Sequence, residues 1–266
     1  ETVFCFPMGE KVEKALKEIE NYCEKEGLAP EFVSLVASEM EYLKNRYKGA
    51  TIVENRDWSD YLYLTQDHAN FAGRKFTTQR NHINKFLKNY ENWEFKKIDE
   101  TTLPKVKEFY KDYEQRFAKS ELTAIEEQEK TNEVLNRYKD YGFIGYALYI
   151  EKKVVGFAIG EILKDTMFIH VEKADKSKDG VNAMLVMQFA KVFEGKVMYL
   201  NREEDVGDMG LRYSKTKYRP IDMVYKYEVN FKKVEILDNP LESKALYVES
   251  FKDTKEFVDH YYEKMV

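Results

Sequence analysis

Phe143-Ile-Gly-Tyr-Ala-Leu-Tyr-Ile-Glu-Lys-Lys-Val-Val-Gly-Phe-Ala-Ile-Gly-Glu-Ile-Leu-Lys-Asp-Thr-Met-Phe-Ile-His-Val-Glu172 decides the fold. Rich in aromatic and β-branched residues, it divides into three runs, Phe143–Glu151, Val154–Leu163 and Thr166–Glu172. Only the polar pairs Lys152-Lys153 and Lys164-Asp165 interrupt them, and connections that short predict an antiparallel meander. Upstream, Trp93–Ile98 reads as a strand. Asp99–Phe117 then reads as a helix, with Thr102 and Pro104 at its start and Val106, Phe109, Tyr110 and Tyr113 as its buried stripe. A second helix is predicted over Leu122–Tyr141. Downstream, a helix opens at Gly180 and runs to Phe193, Lys196–Asn201 is a strand, Gly207–Thr216 a short helix and Asp222–Val229 a strand.

This order of strand, two helices, three strands, helix, strand, helix, strand is that of an acetyltransferase-like lobe. The first ~90 residues read as the later part of a similar lobe without its opening elements. Thr2–Phe6 is a predicted strand, Glu10–Glu26 an amphipathic helix stopped by Gly27, and Glu31–Val36 a strand. Ser38 with Glu41 has the form of a capping box for a helix to Tyr47. Strands are predicted at Thr51–Glu54 and Asp60–Leu64 and a helix at Thr78–Tyr90. The expectation is therefore an α/β (α+β) chain of tandem acetyltransferase-like (GNAT-like) lobes, each a mixed, mostly antiparallel sheet flanked by helices. The first lobe is 1–92, the second and complete one 93–230, and 231–266 a C-terminal extension packing on the first lobe. In that extension Lys233–Leu237 and Ala245–Val248 read as strands and a helix starts at Thr254.

Lysine and arginine number 43 against 48 acidic residues, a near balance that excludes a generally basic nucleic-acid coat. Two cysteines, Cys5 and Cys23, are too few for a disulfide framework and fit reduced thiols in a cytoplasmic setting. No stretch approaches the ~20 apolar residues of a membrane span, so a lipid substrate would be met at a surface.

Two segments carry a resemblance, Tyr61-Leu-Tyr-Leu-Thr-Gln-Asp-His-Ala-Asn-Phe-Ala-Gly-Arg-Lys-Phe-Thr-Thr-Gln-Arg-Asn-His-Ile-Asn-Lys-Phe86 and Asn201-Arg-Glu-Glu-Asp-Val-Gly-Asp-Met-Gly-Leu-Arg-Tyr-Ser-Lys-Thr-Lys-Tyr-Arg-Pro220. Both look like signature blocks of an uncharacterised bacterial family classed with phosphatidylglycerol lysyltransferase C-terminal domains, and the match spans about Glu1 to Val229. The resemblance implies the tandem fold and, by the better-known relatives, transfer of an aminoacyl group from aminoacyl-tRNA to a lipid hydroxyl. Two departures, the lack of a flippase segment and a tail beyond Phe231 outside the family pattern, make a cytosolic acceptor as good an expectation as a lipid.

Acyl transfer needs a held carbonyl, hydrogen-bond donors for the oxyanion and a base for the acceptor; it needs no metal. In acetyltransferase-like lobes the cleft opens where two central strands splay, which puts the residues after Thr166–Glu172 and after Lys196–Asn201 at its rim. Glu203 and Asp205 are candidate catalytic carboxylates there, with Arg202 as electrostatic partner; an N-terminal cap and a surface ion pair are the alternative. Tyr218 is a candidate acid toward a leaving thiolate or ribose oxygen, or a packing residue. Glu172 would share a sheet face with His170, two residues before it, and is a candidate general base. Lys215 is a candidate donor contact. Gly180 opens the helix whose free N–H groups could hold a coenzyme A pyrophosphate. Ser177-Lys-Asp-Gly-Val-Asn-Ala183, however, keeps a single glycine of the usual loop, which weakens acyl-CoA as donor. In the basic first block, Lys75, Arg80, Asn81 and Asn84 are candidate contacts to a tRNA backbone, against a solvated helix face as the simpler reading.

Three classes compete. One is an acyltransferase using a tRNA or CoA donor and a small-molecule, peptide or lipid acceptor. The second is a non-catalytic module binding a small ligand or RNA end. The third is a scaffold docking through Phe257, Val258, Tyr261 and Tyr262.

Overall fold

A computed structural model describes residues 2–117 and 122–231. The strands and helix expected within 232–266, and the proposed scaffold residues there, lie outside the described residues. The elements are α1 (Val12–Glu26), β1 (Glu31–Leu35), α2 (Ala37–Arg46), β2 (Ala50–Leu64), α3 (Thr65–Asn70), α4 (Thr77–Asn89), β3 (Trp93–Lys97), α5 (Leu103–Phe117), α6 (Leu122–Asn136), β4 (Ile144–Ile150), β5 (Lys153–Leu163), β6 (Thr166–Ala174), α7 (Val181–Phe193), β7 (Tyr199–Asn201), α8 (Met209–Lys217) and β8 (Asp222–Phe231). From β3 onward the order is the expected one. Among the described residues the fold is a mixed α/β one with eight mostly antiparallel strands, acetyltransferase-like in its arrangement.

The chain divides into two compact units, Tyr61–Asp222 and Glu1–Asp60 with Met223 onward. In the second half of the chain the meander β4–β5–β6 is antiparallel throughout, β3 adds to β4, and β7 lies parallel to β6. Val106, Phe109 and Tyr110 of α5 and Leu135 of α6 bury one sheet face against Ala147, Tyr149, Phe157 and Ile159. The other face of β4, β5 and β6 is covered by α7, on which α3 and α4 also pack. Buried on both sides, β5 reads as an apolar run without alternation, as its position demands.

In the other unit β8 lies between β1 and β2. Val12 and Leu16 of α1 and Leu43 of α2 cover Phe32, Leu35, Tyr227, Val229 and Phe231. Arg46 donates to Glu20 at 3.0 and 3.1 Å, and the Tyr47 hydroxyl donates to the same oxygen at 2.6 Å.

Several expectations change. Thr2–Phe6 forms a single bridge from Phe4 to Phe32, not a strand. Thr51–Glu54 and Asp60–Leu64 are parts of one strand, β2. The cap of α2 is Val36, whose N–H is accepted by Glu39 at 3.0 Å, while Glu41 instead receives Lys44 at 3.1 Å. A helix can take its first turn from the reciprocal carboxylate alone, so a hydroxyl at the cap was not required.

Candidate functional site

The strands β6 and β7 pair over three residues, Thr166–Phe168 against Tyr199–Asn201, and then part. β6 continues to Ala174 while β7 ends. The ladder stops where β7 ends, and across this splay Glu203 meets His170 and Arg202 meets Glu172.

A register shift in β6 places them. Ile159 pairs with Val171 but Gly160 pairs with Ile169, which leaves His170 as the extra residue of a β-bulge. The bulge breaks the two-residue period. Glu172, opposite Ala158, goes to the α7 side. The His170 imidazole goes to the other, against the Phe143 ring at 5.1 Å. The expectation that His170 and Glu172 share a face therefore fails, because an inserted residue reverses the alternation beyond it. The bulge also requires a glycine opposite it: a Cβ on Gly160 would lie 1.9 Å from the Phe168 carbonyl oxygen.

Each side of the splay has its own charged bridge. On one, His170 Nδ1 is 2.6 Å from Glu203 and Nε2 is 3.1 Å from Glu161, so the ring spans two carboxylates. Burial alone would lower the His170 pKa, but Glu203 and Glu161 outweigh it and raise the value above the ordinary histidine range. Sequence reasoning missed Glu161, which sits on β5 nine residues away; a carboxylate just after the apolar run of β5 was the signal available, and it did not disclose the meeting with a bulged histidine.

On the other side, Arg202 Nη2 donates to Glu172 at 2.6 Å. Its Cζ lies 4.7 Å from the Tyr218 ring centroid and 5.5 Å from that of Tyr63. Arg202 is 9% exposed, and its Nη1 is buried with no hydrogen-bond partner among the described residues. His68 lies beside the same two rings, with Nε2–H donating to the Tyr218 carbonyl at 3.1 Å and Nδ1 unpartnered among the described residues. Burial, aided by the Arg202 charge, lowers its pKa to about 3, which makes it a neutral ring with a free acceptor.

The turn itself is braced from beneath. Lys215 donates to the carbonyls of Arg202 at 2.6 Å, Glu203 at 3.0 Å and Glu204, which occupies its three N–H donors. Burial brings its pKa down to about 8. Asp205 is fully buried and accepts from Tyr61 Oη at 2.5 Å, Arg212 Nε at 2.9 Å, Arg212 Nη2 at 2.7 Å and the Gly207 N–H at 3.0 Å. Burial opposes its charge, yet these donors hold its pKa well below the usual carboxylate range. With its lone pairs filled, Asp205 is placed to hold the turn, not to move a proton. Glu203, the residue between, is set at φ 54° with its N–H on Asn201 at 2.8 Å. Tyr218 is buried, its hydroxyl accepting from Asn182 at 3.1 Å, and burial pushes its pKa up to about 12.

The first signature block supplies Tyr61, Tyr63 and His68 to this arrangement, while its polar candidates have other partners. Arg80 donates to the carbonyls of Phe71 at 2.6 Å and Gly73 at 2.5 Å, tying down the turn before α4. Lys75 is paired with Asp67 at 2.7 Å, and Asn81 and Asn84 are exposed on α4. Gly180 has φ 74°, and a Cβ there would meet the His82 carbonyl oxygen at 2.2 Å. That glycine permits α4 to approach the start of α7, and a pyrophosphate would have to displace it.

The phosphatidylglycerol lysyltransferase C-terminal family matches residues 1–230. An uncharacterised protein of Mycoplasmoides gallisepticum is 26% identical over 201 residues, 73% of this chain and 63% of that protein, so the chain spans less than two thirds of that relative. A conserved protein of unknown function from Bacteroides thetaiotaomicron superposes with TM-score 0.76 at 28% identity, covering 86% of this chain and 79% of the other. The structure of L-PGS from Bacillus licheniformis gives 0.59 at 15% identity, covering 87% and 77%, a likeness of fold.

Proposed function

Because this chain belongs to the phosphatidylglycerol lysyltransferase C-terminal family, we propose that it is an acyltransferase which moves an aminoacyl group from an ester donor, aminoacyl-tRNA, to a hydroxyl or amine acceptor. The observation that carries the proposal is the Glu161–His170–Glu203 array standing where β6 and β7 part. The acceptor attacks the ester carbonyl and its proton passes to Glu203. The ester C–O bond breaks as the departing ribose oxygen takes the Nδ1 proton of the His170 imidazolium. A proton crossing the 2.6 Å bond from Glu203 to Nδ1 restores the pair. Arg202, on the other side of the splay with Nη1 buried, holds Glu172 and fixes the turn that carries Glu203. An ester donor is favoured over acyl-CoA because α4 closes on Gly180, where a pyrophosphate would bind.

Two further parts belong to the same proposal. One is the descent of residues 1–92 and 93–230 from a duplicated lobe. The other is a cytoplasmic setting, for which the free thiols Cys5 and Cys23 speak. Among the described residues no helix is long and apolar enough to cross a membrane.

The test is loss of label from a mixed aminoacyl-tRNA pool, with hydroxylamine and phosphatidylglycerol vesicles as alternative acceptors. His170→Gln and Glu203→Gln should each slow the loss by about a hundredfold with little change in melting temperature. Wild-type protein that leaves the pool as stable as buffer does with both acceptors would end the proposal. A second reading, a binding module without turnover, is favoured by the filled hydrogen bonds of Asp205 and Lys215; it predicts tRNA binding with a steep salt dependence and no label loss.

A further inference from the structure

The unit formed by Glu1–Asp60 and Met223 onward has a hollow of its own, of about 230 Å³, lined by Val33, Ser34, Asn55, Trp58, Lys226 and Glu228. β8 alternates through it: Tyr227 and Val229 enter the core beneath α1 and α2, and Lys226 and Glu228 belong to the opposite face. A bulge in β1 shapes one wall. Phe32 pairs with Val229 and Leu35 with Tyr227, so Val33 and Ser34 together stand against Glu228, with Ser34 at φ 58°. β2 supplies the other wall, and the Trp58 indole there is 47% exposed.

The charges in the hollow are answered unequally. Lys226 Nζ has Asp60 at 3.3 Å, and Glu39 also lies within its field. Glu228 receives its hydrogen bond from a neutral group, the Asn55 amide, at 2.5 Å. That amide aims one carboxylate oxygen and leaves further lone pairs for another donor. A carboxylate held in this way beside an accessible indole face is the pair of groups that recognises an ammonium: one supplies charge-assisted hydrogen bonds, the other a π-face.

We infer that this hollow binds a small organic ammonium compound, with its N–H groups on Glu228 and its alkyl part against Trp58 and Val33. The site shares no residue with the splay between β6 and β7, so its test and that of acyl transfer fail separately. The chain has two tryptophans, Trp58 and Trp93, and the indole N–H signal lost in Trp58→Phe identifies the reporter in nitrogen-15 spectra. Titration of the whole protein with n-butylammonium chloride should move that signal saturably, with a midpoint in the millimolar range. Glu228→Gln, which can keep the Asn55 bond, should weaken binding about tenfold. Sodium butyrate and sodium chloride at equal concentration should leave the signal in place. A shift still linear at about 100 mM, an unchanged midpoint in Glu228→Gln, or an equal response to butyrate would overturn the inference.

Discussion

Replacing Asp205 by asparagine separates a carboxylate that braces the turn from one that takes part in chemistry. The substitution removes the charge that Arg212 grips at 2.7 and 2.9 Å and puts an N–H₂ among the donors of Tyr61, Arg212 and Gly207. Breaking a buried pair from one side costs about 3–5 kcal/mol. Arg212 is 26% exposed and can be partly rehydrated, so the lower end, about 3 kcal/mol, is expected. For a chain of this size each kcal/mol lowers the melting temperature by about 2–4 °C, which gives a drop of about 6–12 °C at pH 7. The pH dependence supplies a second reading. The folded-state pKa of Asp205 lies below the ordinary value of about 3.9, so its contribution is present above that value and is lost as pH falls below it. The difference between wild type and variant, followed by circular-dichroism melts, should be steady from pH 7 to 5 and shrink toward pH 3. A variant that melts within about 2 °C of wild type while losing all transfer would refute this account and return Asp205 to the chemistry.

Two more outcomes follow from the bulge. Gly160→Ala should cost about 3 kcal/mol or more in urea unfolding, because the new Cβ meets backbone and not a movable side chain; wild-type stability would mean that the ladder can shift. His170 should titrate above its ordinary value of about 6.5 in proton spectra, and Glu161→Gln or Glu203→Gln should each lower the midpoint. Since the folded pKa is the raised one, the stability it contributes is full below about pH 6.5 and disappears as pH rises through the folded value; a midpoint insensitive to both substitutions would show that the carboxylates do not hold the ring.

The fold was largely legible because its signals are local. Two-residue turns between apolar runs announced the meander, and Gly27 and Gly180, both at positive φ, marked a helix end and a helix start. What escaped depended on partners distant in sequence. α3 is six residues without an apolar period of its own, and it is specified by packing on α7. β2 was expected as two strands, Thr51–Glu54 and Asp60–Leu64, because the polar Asn55-Arg-Asp57 between them carries no apolar signal, although the strand runs through it. The site was half legible. Arg202, Glu203 and Glu172 were placed beside the ends of β6 and β7 by their position in the chain, but the bonds made by Asp205 and Lys215 depend on donors and acceptors that alternation cannot count. The His170 bulge was hidden for the same reason: an extra residue in one strand is defined only against the register of its neighbour.

The surroundings of Arg202 bear on what could replace it. Held by Glu172 at one nitrogen and flanked by Tyr63 and Tyr218, its planar head has little freedom to swivel or tilt. A lysine ammonium would carry the same charge, but it has no flat face to lie between two phenol rings. At this position shape is as much a requirement as charge.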